Sequence, residues 1–156
     1  MALRAALIGC GKIGSEFADD PRIKGIYTHA GAWRDCPGVE LAAVCDHDSG
    51  RARRCAERWQ ITEWHTDAAE MLQRIRPDLV SICTPDHTHA EITALALNSP
   101  GVRGILAEKP LAMTLTDARV RGARAEARNI TIAVNYSRRY AAGHQELARR
   151  IREGLI

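Results

Sequence analysis

A chain of 156 residues with 46% apolar and 26% charged side chains is one domain's worth of ordinary globular sequence. Its 22 basic and 19 acidic residues leave a net charge of +3, a mild excess that suits a protein handling anions and falls far short of demanding nucleic acid. No apolar run approaches a membrane span, the opening Met1-Ala2-Leu3-Arg4 lacks the apolar core of a signal peptide, and Cys10, Cys36, Cys45, Cys55 and Cys83 are odd in number and never spaced C-x-x-C; the expectation is a cytoplasmic protein with reduced, mostly buried thiols rather than a disulfide or zinc framework.

In chain order, a first apolar run, Ala5 to Ile8, ends in a glycine-rich turn that opens a helix. Ala18 to Tyr27, with Asp19-Asp20-Pro21 and Gly25, interrupts that helix and reads as a loop insertion, helix resuming near Thr28. A second run, Val39 to Cys45, ends at Asp46, and an arginine-rich helix follows over Ser49 to Trp59. A weak third run lies at Ile61 to His65. Asp67 and Glu70 have capping-box spacing for a helix that Pro77 closes. The fourth run is Leu79 to Cys83, before Thr84-Pro85, and a compact helix covers Ala90 to Leu97. The fifth is Val102 to Ala107, before Glu108-Lys109-Pro110; Thr114 and Asp117 then cap a helix reaching about Arg128. The sixth is Ile130 to Tyr136, and a last helix spans about Gly143 to Glu153, with Leu147, Ile151 and Leu155 along one face and Gly154 as its C-cap. The runs are rich in Val, Ile and Leu and barely alternate, as strands buried on both faces do. Strand and helix in repeated alternation predict an α/β fold with a doubly wound, mostly parallel sheet, a Rossmann-type dinucleotide-binding domain over 1–156.

The turn Gly9-Cys10-Gly11-Lys12-Ile13-Gly14 matches G-x-G-x-x-G. The pattern is weak alone and gains meaning from the strand before it and the helix after it. Gly9 permits the tight turn, Gly11 lets the backbone approach a pyrophosphate, and Gly14 lets helix and strand pack closely. The helix N-terminus presents free N–H groups to phosphate; Lys12 and Ile13 complete the candidate cradle. Asp46 ends the second strand, where a carboxylate accepts from both hydroxyls of the adenine ribose and repels a 2′-phosphate. NAD is therefore favoured over NADP. The insertion accounts for a separation longer than the usual spacing of about twenty residues. Arg51, Arg53 and Arg54 are the alternative, as receivers of a 2′-phosphate, but read more simply as a solvated helix face.

Three further strand ends, Thr84-Pro85-Asp86-His87-Thr88-His89, Glu108-Lys109-Pro110 and Tyr136-Ser137-Arg138-Arg139-Tyr140, point to the same sheet edge, where α/β folds bind ligands. Together with Gly9 to Gly14, Val44-Cys45-Asp46 and Arg138-Arg139-Tyr140, the Thr-Pro-x-His-x-His and Glu-Lys-Pro segments occur in an order that resembles the glucose-fructose oxidoreductase and inositol dehydrogenase family (Gfo/Idh/MocA) over nearly the whole chain. The resemblance implies that Thr84 and Pro85 line the cofactor beside the nicotinamide ribose, that His87 lies near them, that Glu108 touches the nicotinamide side, and that Lys109 reaches the substrate oxygen next to the hydride-transfer carbon. Asp86 departs from the family's common asparagine, and Ala141-Ala142 from a common acidic residue and proline. A lysine ammonium at that oxygen stabilises developing negative charge and assists proton departure.

Two competing readings are weaker. His87 and His89 resemble a metal pair, but a zinc site wants three or four protein ligands and no third stands nearby; at a loop-to-helix junction they read instead as a helix cap or a cofactor contact, and no metal is expected. Tyr136 to Tyr140 offers too few aromatics for a single-strand nucleic-acid platform in a chain that is 4% aromatic. The resemblance also implies a second, substrate-binding domain after this one, through which the full-length protein would oligomerise. The expectation is therefore a fragment that binds NAD(H) with little turnover, the cofactor half of a dehydrogenase acting on a sugar, polyol or related hydroxylated substrate; the alternative is a stand-alone NAD(H) sensor or scaffold. Neither nucleic acid nor membrane is an expected partner.

Overall fold

The computed structural model describes residues 2–156. Six strands form one parallel sheet in the order β3-β2-β1-β4-β5-β6. They are β1 (Leu3–Ile8), β2 (Val39–Cys45), β3 (Glu63–His65), β4 (Leu79–Ile82), β5 (Gly104–Ala107) and β6 (Thr131–Val134). The helices are α1 (His29–Asp35), α2 (Ser49–Trp59), α3 (Ala68–Ile75), α4 (His89–Asn98), α5 (Leu115–Ala127) and α6 (Ala142–Arg152). The order reverses between β1 and β4, the switch point of a Rossmann sheet. The doubly wound fold expected from the alternation is the fold observed.

The two faces bury different helices. α1 and α2 place Ala30, Cys55 and Ala56 against Ala5, Leu7, Leu41 and Val44. α3, α4 and α5 place Met71, Leu72, Ile75, Ala96, Leu97 and Ala125 against Ile8, Ala43, Val80, Ile82 and Ile105. Small residues on the central strands (Ala5, Ala6, Ala43 and Ala107 are fully buried) let helices settle close to the sheet from both sides. Where β4 to β6 face the side of α1, no helix among the described residues covers them. Leu79, Leu106 and Ala133 line an open concavity there, beside Trp33.

The helix caps follow the sequence. Asp48 accepts from Arg51 N–H at 2.9 Å, Asp67 from Glu70 N–H at 2.7 Å, and Thr114 Oγ1 from Asp117 N–H at 3.0 Å. α2 and α3 end on Gln60 and Arg76 in the left-handed conformation. Four of the five cysteines are buried and Cys36 is exposed. The terminal apolar stripe is not packed on its own sheet: Leu147 and Ile151 on α6, and Leu155 just beyond it, are all exposed.

The first helix departs from expectation. After the glycine turn only one turn forms, Ser15 N–H on Gly11 O at 2.8 Å, before a short 3-10 segment over Glu16–Asp19. The chain leaves the helical path at Ser15, earlier than the expected Ala18. The buried Ser15 hydroxyl is drawn to α2, where Arg58 Nη1 and Trp59 Nε1 both bond it at 2.9 Å. The helix resumes on the far side of the insertion as though uncut: His29 N–H bonds Ile13 O and Ala30 N–H bonds Gly14 O, both at 3.0 Å. Thr28 caps the resumed piece through Gly31 N–H. The insertion is thus a loop extruded from a spliced helix, and the splice brings His29 beneath the glycine turn.

Candidate functional site at the carboxyl edge of the sheet

Every candidate segment hangs from the last rung of the ladder. Gly9 N–H bonds Cys45 O at 2.8 Å, Asp46 N–H bonds His65 O at 3.2 Å, and Cys83 N–H bonds Ile8 O at 2.7 Å. Glu108 N–H bonds Ile82 O at 2.9 Å, and Asn135 N–H bonds Ala107 O at 2.8 Å. These residues are loops by position, yet sheet hydrogen bonds hold their backbones.

The three glycines do three different jobs. Gly9 sits at φ +97°, and a Cβ there would lie 2.5 Å from the Cys83 carbonyl and 2.7 Å from Thr84 N, so the turn after β1 can touch the end of β4 only as glycine. A Cβ on Gly14 would lie 2.1 Å from Gly9 O, which fixes the close approach of helix to strand. Around Gly11 nothing lies within 4 Å of that position. Packing does not demand this glycine; it keeps a space open over the turn, as a site for a bulky anion against backbone N–H groups requires. Lys12 is exposed beside it and Ile13 half-buried.

Asp46 turns toward that space. Its side chain is 5% exposed. Oδ2 accepts from Cys10 N–H at 2.9 Å, inside the glycine turn, and Oδ1 from Asp48 N–H at 3.0 Å. A carboxylate has about four acceptor sites, so capacity remains for a ribose hydroxyl. Arg51 corrects the expectation of a solvated face: its Nη1 stands 3.3 Å from Asp46 Oδ1 and its Nε 3.6 Å from Glu16. Arg53 does lie on such a face, paired with Glu57 at 2.9 Å.

Across the switch point, Thr84 is half-buried and Pro85 exposed. His87 is exposed, with no hydrogen bond from its ring among the described residues, and its side chain is 74% accessible. The structured histidine of this segment is His89, the second histidine of the Thr84–His89 motif. It is 1% exposed, and its Nε2 and Nδ1 face the carbonyls of Thr84 at 2.8 Å and Pro110 at 2.5 Å. His89 therefore clasps the loop after β4 to the loop after β5. Lys109 follows on that second loop, exposed, with a cis bond to Pro110.

Glu108 is 9% exposed and sits in a network that the sequence did not announce. Its Oε1 accepts from Asn135 Nδ2 at 2.6 Å and pairs with His29 Nε2 at 3.1 Å. His29 Nδ1 lies 3.0 Å from Ser81 Oγ, which accepts from Trp33 Nε1 at 2.7 Å. Burial pushes His29 below its ordinary pKa, against an opposing pull from Glu108, so the ring is neutral at neutral pH. One signal was available: Ser81 is a lone hydroxyl inside the apolar strand Leu79 to Ile82, and a fully buried polar group needs a partner. Nothing in the sequence pairs His29 with Glu108, 79 residues away.

Together these groups gather at the carboxyl edge of the sheet on either side of the β1–β4 switch point: an uncrowded glycine turn, an inward carboxylate after β2, and a carboxylate followed by an exposed lysine after β5. Comparison with known proteins agrees. The model of the Gfo/Idh/MocA oxidoreductase family, described as an NAD-binding Rossmann fold, matches residues 3–136. The chain is 35% identical over 153 residues to a D-apiose dehydrogenase of Paraburkholderia graminis, covering 98% of this chain and 37% of that protein. It is 30% identical to a D-glucoside 3-dehydrogenase of Escherichia coli, covering 99% of this chain and 40% of that one. Among solved structures, a myo-inositol 2-dehydrogenase from Lactobacillus plantarum superposes with a TM-score of 0.82 at 25% identity, over 100% of this chain and 42% of that one. The 3-ketoreductase KijD10 of Actinomadura kijaniata, solved with NADP, gives 0.82 at 27%, over 100% and 45%. The chain spans about two fifths of the length of the curated relatives it matches. By its motifs, sheet order and family match, the chain belongs to the Gfo/Idh/MocA oxidoreductase family and carries its NAD-binding Rossmann fold.

Proposed function

We propose that the chain binds NAD(H) across the β1–β4 switch point as the cofactor half of a dehydrogenase whose substrate is a sugar, a polyol or a related hydroxylated compound. The observation that carries the reading is the pairing of an open Gly11 with an inward Asp46 bonded to the same turn. The turn's N–H groups would hold the diphosphate, with Lys12 and Ile13 flanking it; Asp46 would take the adenine ribose. Thr84 and Pro85, with His87 on the same loop, would border the nicotinamide ribose, and Glu108 the nicotinamide side. When bound, the nicotinamide supplies hydride acceptance. Lys109 would place its ammonium at the substrate oxygen, where it stabilises negative charge as the alcohol proton leaves.

The names of the relatives support the substrate class: apiose, glucoside and inositol are all polyhydroxylated. A domain spanning about two fifths of such enzymes would bind cofactor and turn over little alone. The alternative of an NAD(H) sensor predicts the same binding without a coupled activity.

The carboxylate of Asp46 favours NAD over NADP, because a 2′-phosphate would meet it directly. Arg51, within 3.3 Å of that carboxylate, supports a residual affinity for NADP, since a guanidinium there can pair with a phosphate. Calorimetric titration with NADH and NADPH tests the reading. Saturable NADH binding with weaker NADPH binding is expected, and no saturable NADH binding at millimolar ligand overturns it.

A further inference from the structure

The Rossmann sheet has two halves related by a pseudo-repeat, β1-β2-β3 and β4-β5-β6. Under that repeat, Glu108 after β5 stands where Asp46 stands after β2. Each is a nearly buried carboxylate on the residue following its strand. Asp46 is oriented by backbone N–H groups of adjacent turns. Glu108 receives no such local donor; two side chains from distant elements hold it, His29 on α1 and Asn135 after β6.

One assignment satisfies the donors and acceptors of this network best. An indole N–H only donates, so Trp33 gives its proton to Ser81 Oγ. The Ser81 hydroxyl hydrogen is then free for His29 Nδ1, 3.0 Å away. A neutral ring that accepts at Nδ1 carries its proton at Nε2, and Nε2–H points at Glu108 Oε1. The opposite tautomer would set the Nε2 lone pair against the carboxylate oxygen 3.1 Å away, with only the longer 3.4 Å contact from Asn135 Nδ2 to offset it. His29 and Asn135 both use Oε1, and no donor among the described residues occupies Oε2.

We propose that His29 is a positioning residue for the nicotinamide half of the site: as its Nε2–H tautomer, fixed by Ser81 and Trp33, it and Asn135 hold Glu108 by one oxygen and leave Oε2 for the bound ligand. The inference rests on the proposed NAD(H) reading for its consequence, though not for its geometry. It gives the helical splice a use. With the insertion extruded as a loop, the resumed helix delivers His29 to the second half of the site from the first.

Two measurements test it. Nitrogen-15 NMR of the histidines in the ligand-free chain should show His29 protonated at Nε2 and bare at Nδ1 at neutral pH; an Nδ1–H tautomer, or an imidazolium, overturns the network whatever the chain binds. Binding then separates position from folding. His29→Leu should weaken NADH about tenfold, as expected for one lost hydrogen bond to a charged group. The same change should leave ADP-ribose, which lacks the nicotinamide, bound as in the unaltered chain. His29→Gln, which returns an N–H near the Nε2 position, should recover most of the loss. Equal NADH affinity in His29→Leu, or a parallel loss of NADH and ADP-ribose, contradicts the proposal. Failure of the unaltered chain to bind NADH would instead sink the cofactor reading, and leaves the tautomer result standing as a test of the network.

Discussion

The two carboxylates at the sheet edge sit at equivalent places and are held in different ways. Asp46 is fixed by neighbours in sequence or by a motif: Asp48 two residues on, and Cys10 inside the glycine turn. Glu108 is fixed by His29 and Asn135, from the first helix and the last strand. The cover differs too. The β1–β3 half is packed between helices on both faces, whereas β6 exposes Thr131 and Ala133 on the side of α1. The first half is therefore a local device that folds with its own turns. The second is a tertiary device whose precision depends on α1 docking correctly.

Substitutions that strike one half, or the joint between them, sharpen this contrast. The largest effect should come at the joint. Gly9→Ala forces an L-residue to φ +97° and drives its Cβ into the Cys83 carbonyl. We expect a loss of about 4 kcal/mol in urea unfolding, from backbone strain plus a clash with backbone that cannot swing away. An equally stable Gly9→Ala would refute the close approach of the two strand ends. Asp46→Ala strikes the first half alone. It should weaken NADH about 10- to 100-fold while NADPH weakens less, narrowing the ratio between them in calorimetry. A uniform loss for both cofactors would remove the ribose role. Ser81→Ala strikes the second half by leaving Trp33 Nε1 and His29 Nδ1 without their shared partner. It should cost about 1–2 kcal/mol of stability, and ADP-ribose affinity should hold.

The smallest effect is one of pH. The folded state holds His29 below the ordinary imidazole value of about 6.5, so the unfolded chain binds its proton more readily and stability rises with pH in that region. His29 thus has no cost above about 6.5 and an increasing one as pH falls through that value toward the folded pKa. Denaturant midpoints followed from about pH 7.5 down to about 5.5, roughly one unit either side of the free imidazole value, should drop more steeply for the unaltered chain than for His29→Gln. Parallel curves would show that His29 does not titrate with folding.

The same contrast explains what could be read from the sequence. β2 and α2 have the bounds expected for them, Val39–Cys45 and Ser49–Trp59, because an apolar run and a helix-spaced polar stretch are local signals. The Asp67 and Thr114 caps were visible for the same reason. Asp46 was identifiable because strand, glycine turn and terminal acid form a pattern along the chain. The break at Ser15 was not, since it depends on Arg58 and Trp59 pulling a hydroxyl from across the fold. Nor were His29 and Asn135, which acquire meaning only when α1 and β6 converge on Glu108. His87 and His89 stand in one motif, and only the fold distinguishes them: His89 is buried between two loop carbonyls and His87 is exposed. Sequence periodicity reports which side of an element is apolar; it does not report which polar side chains meet across the core.

Gly11 separates folding from binding most cleanly, because nothing in the chain lies within 4 Å of where its Cβ would be. NADH titrated into the unaltered chain and into Gly11→Ala, with thermal unfolding of both, should give closely matched melting temperatures and an affinity at least about tenfold weaker in the variant, a difference of about 1.4 kcal/mol. Undiminished NADH binding by a folded Gly11→Ala would show that the open space over the turn is not where the cofactor's phosphates rest.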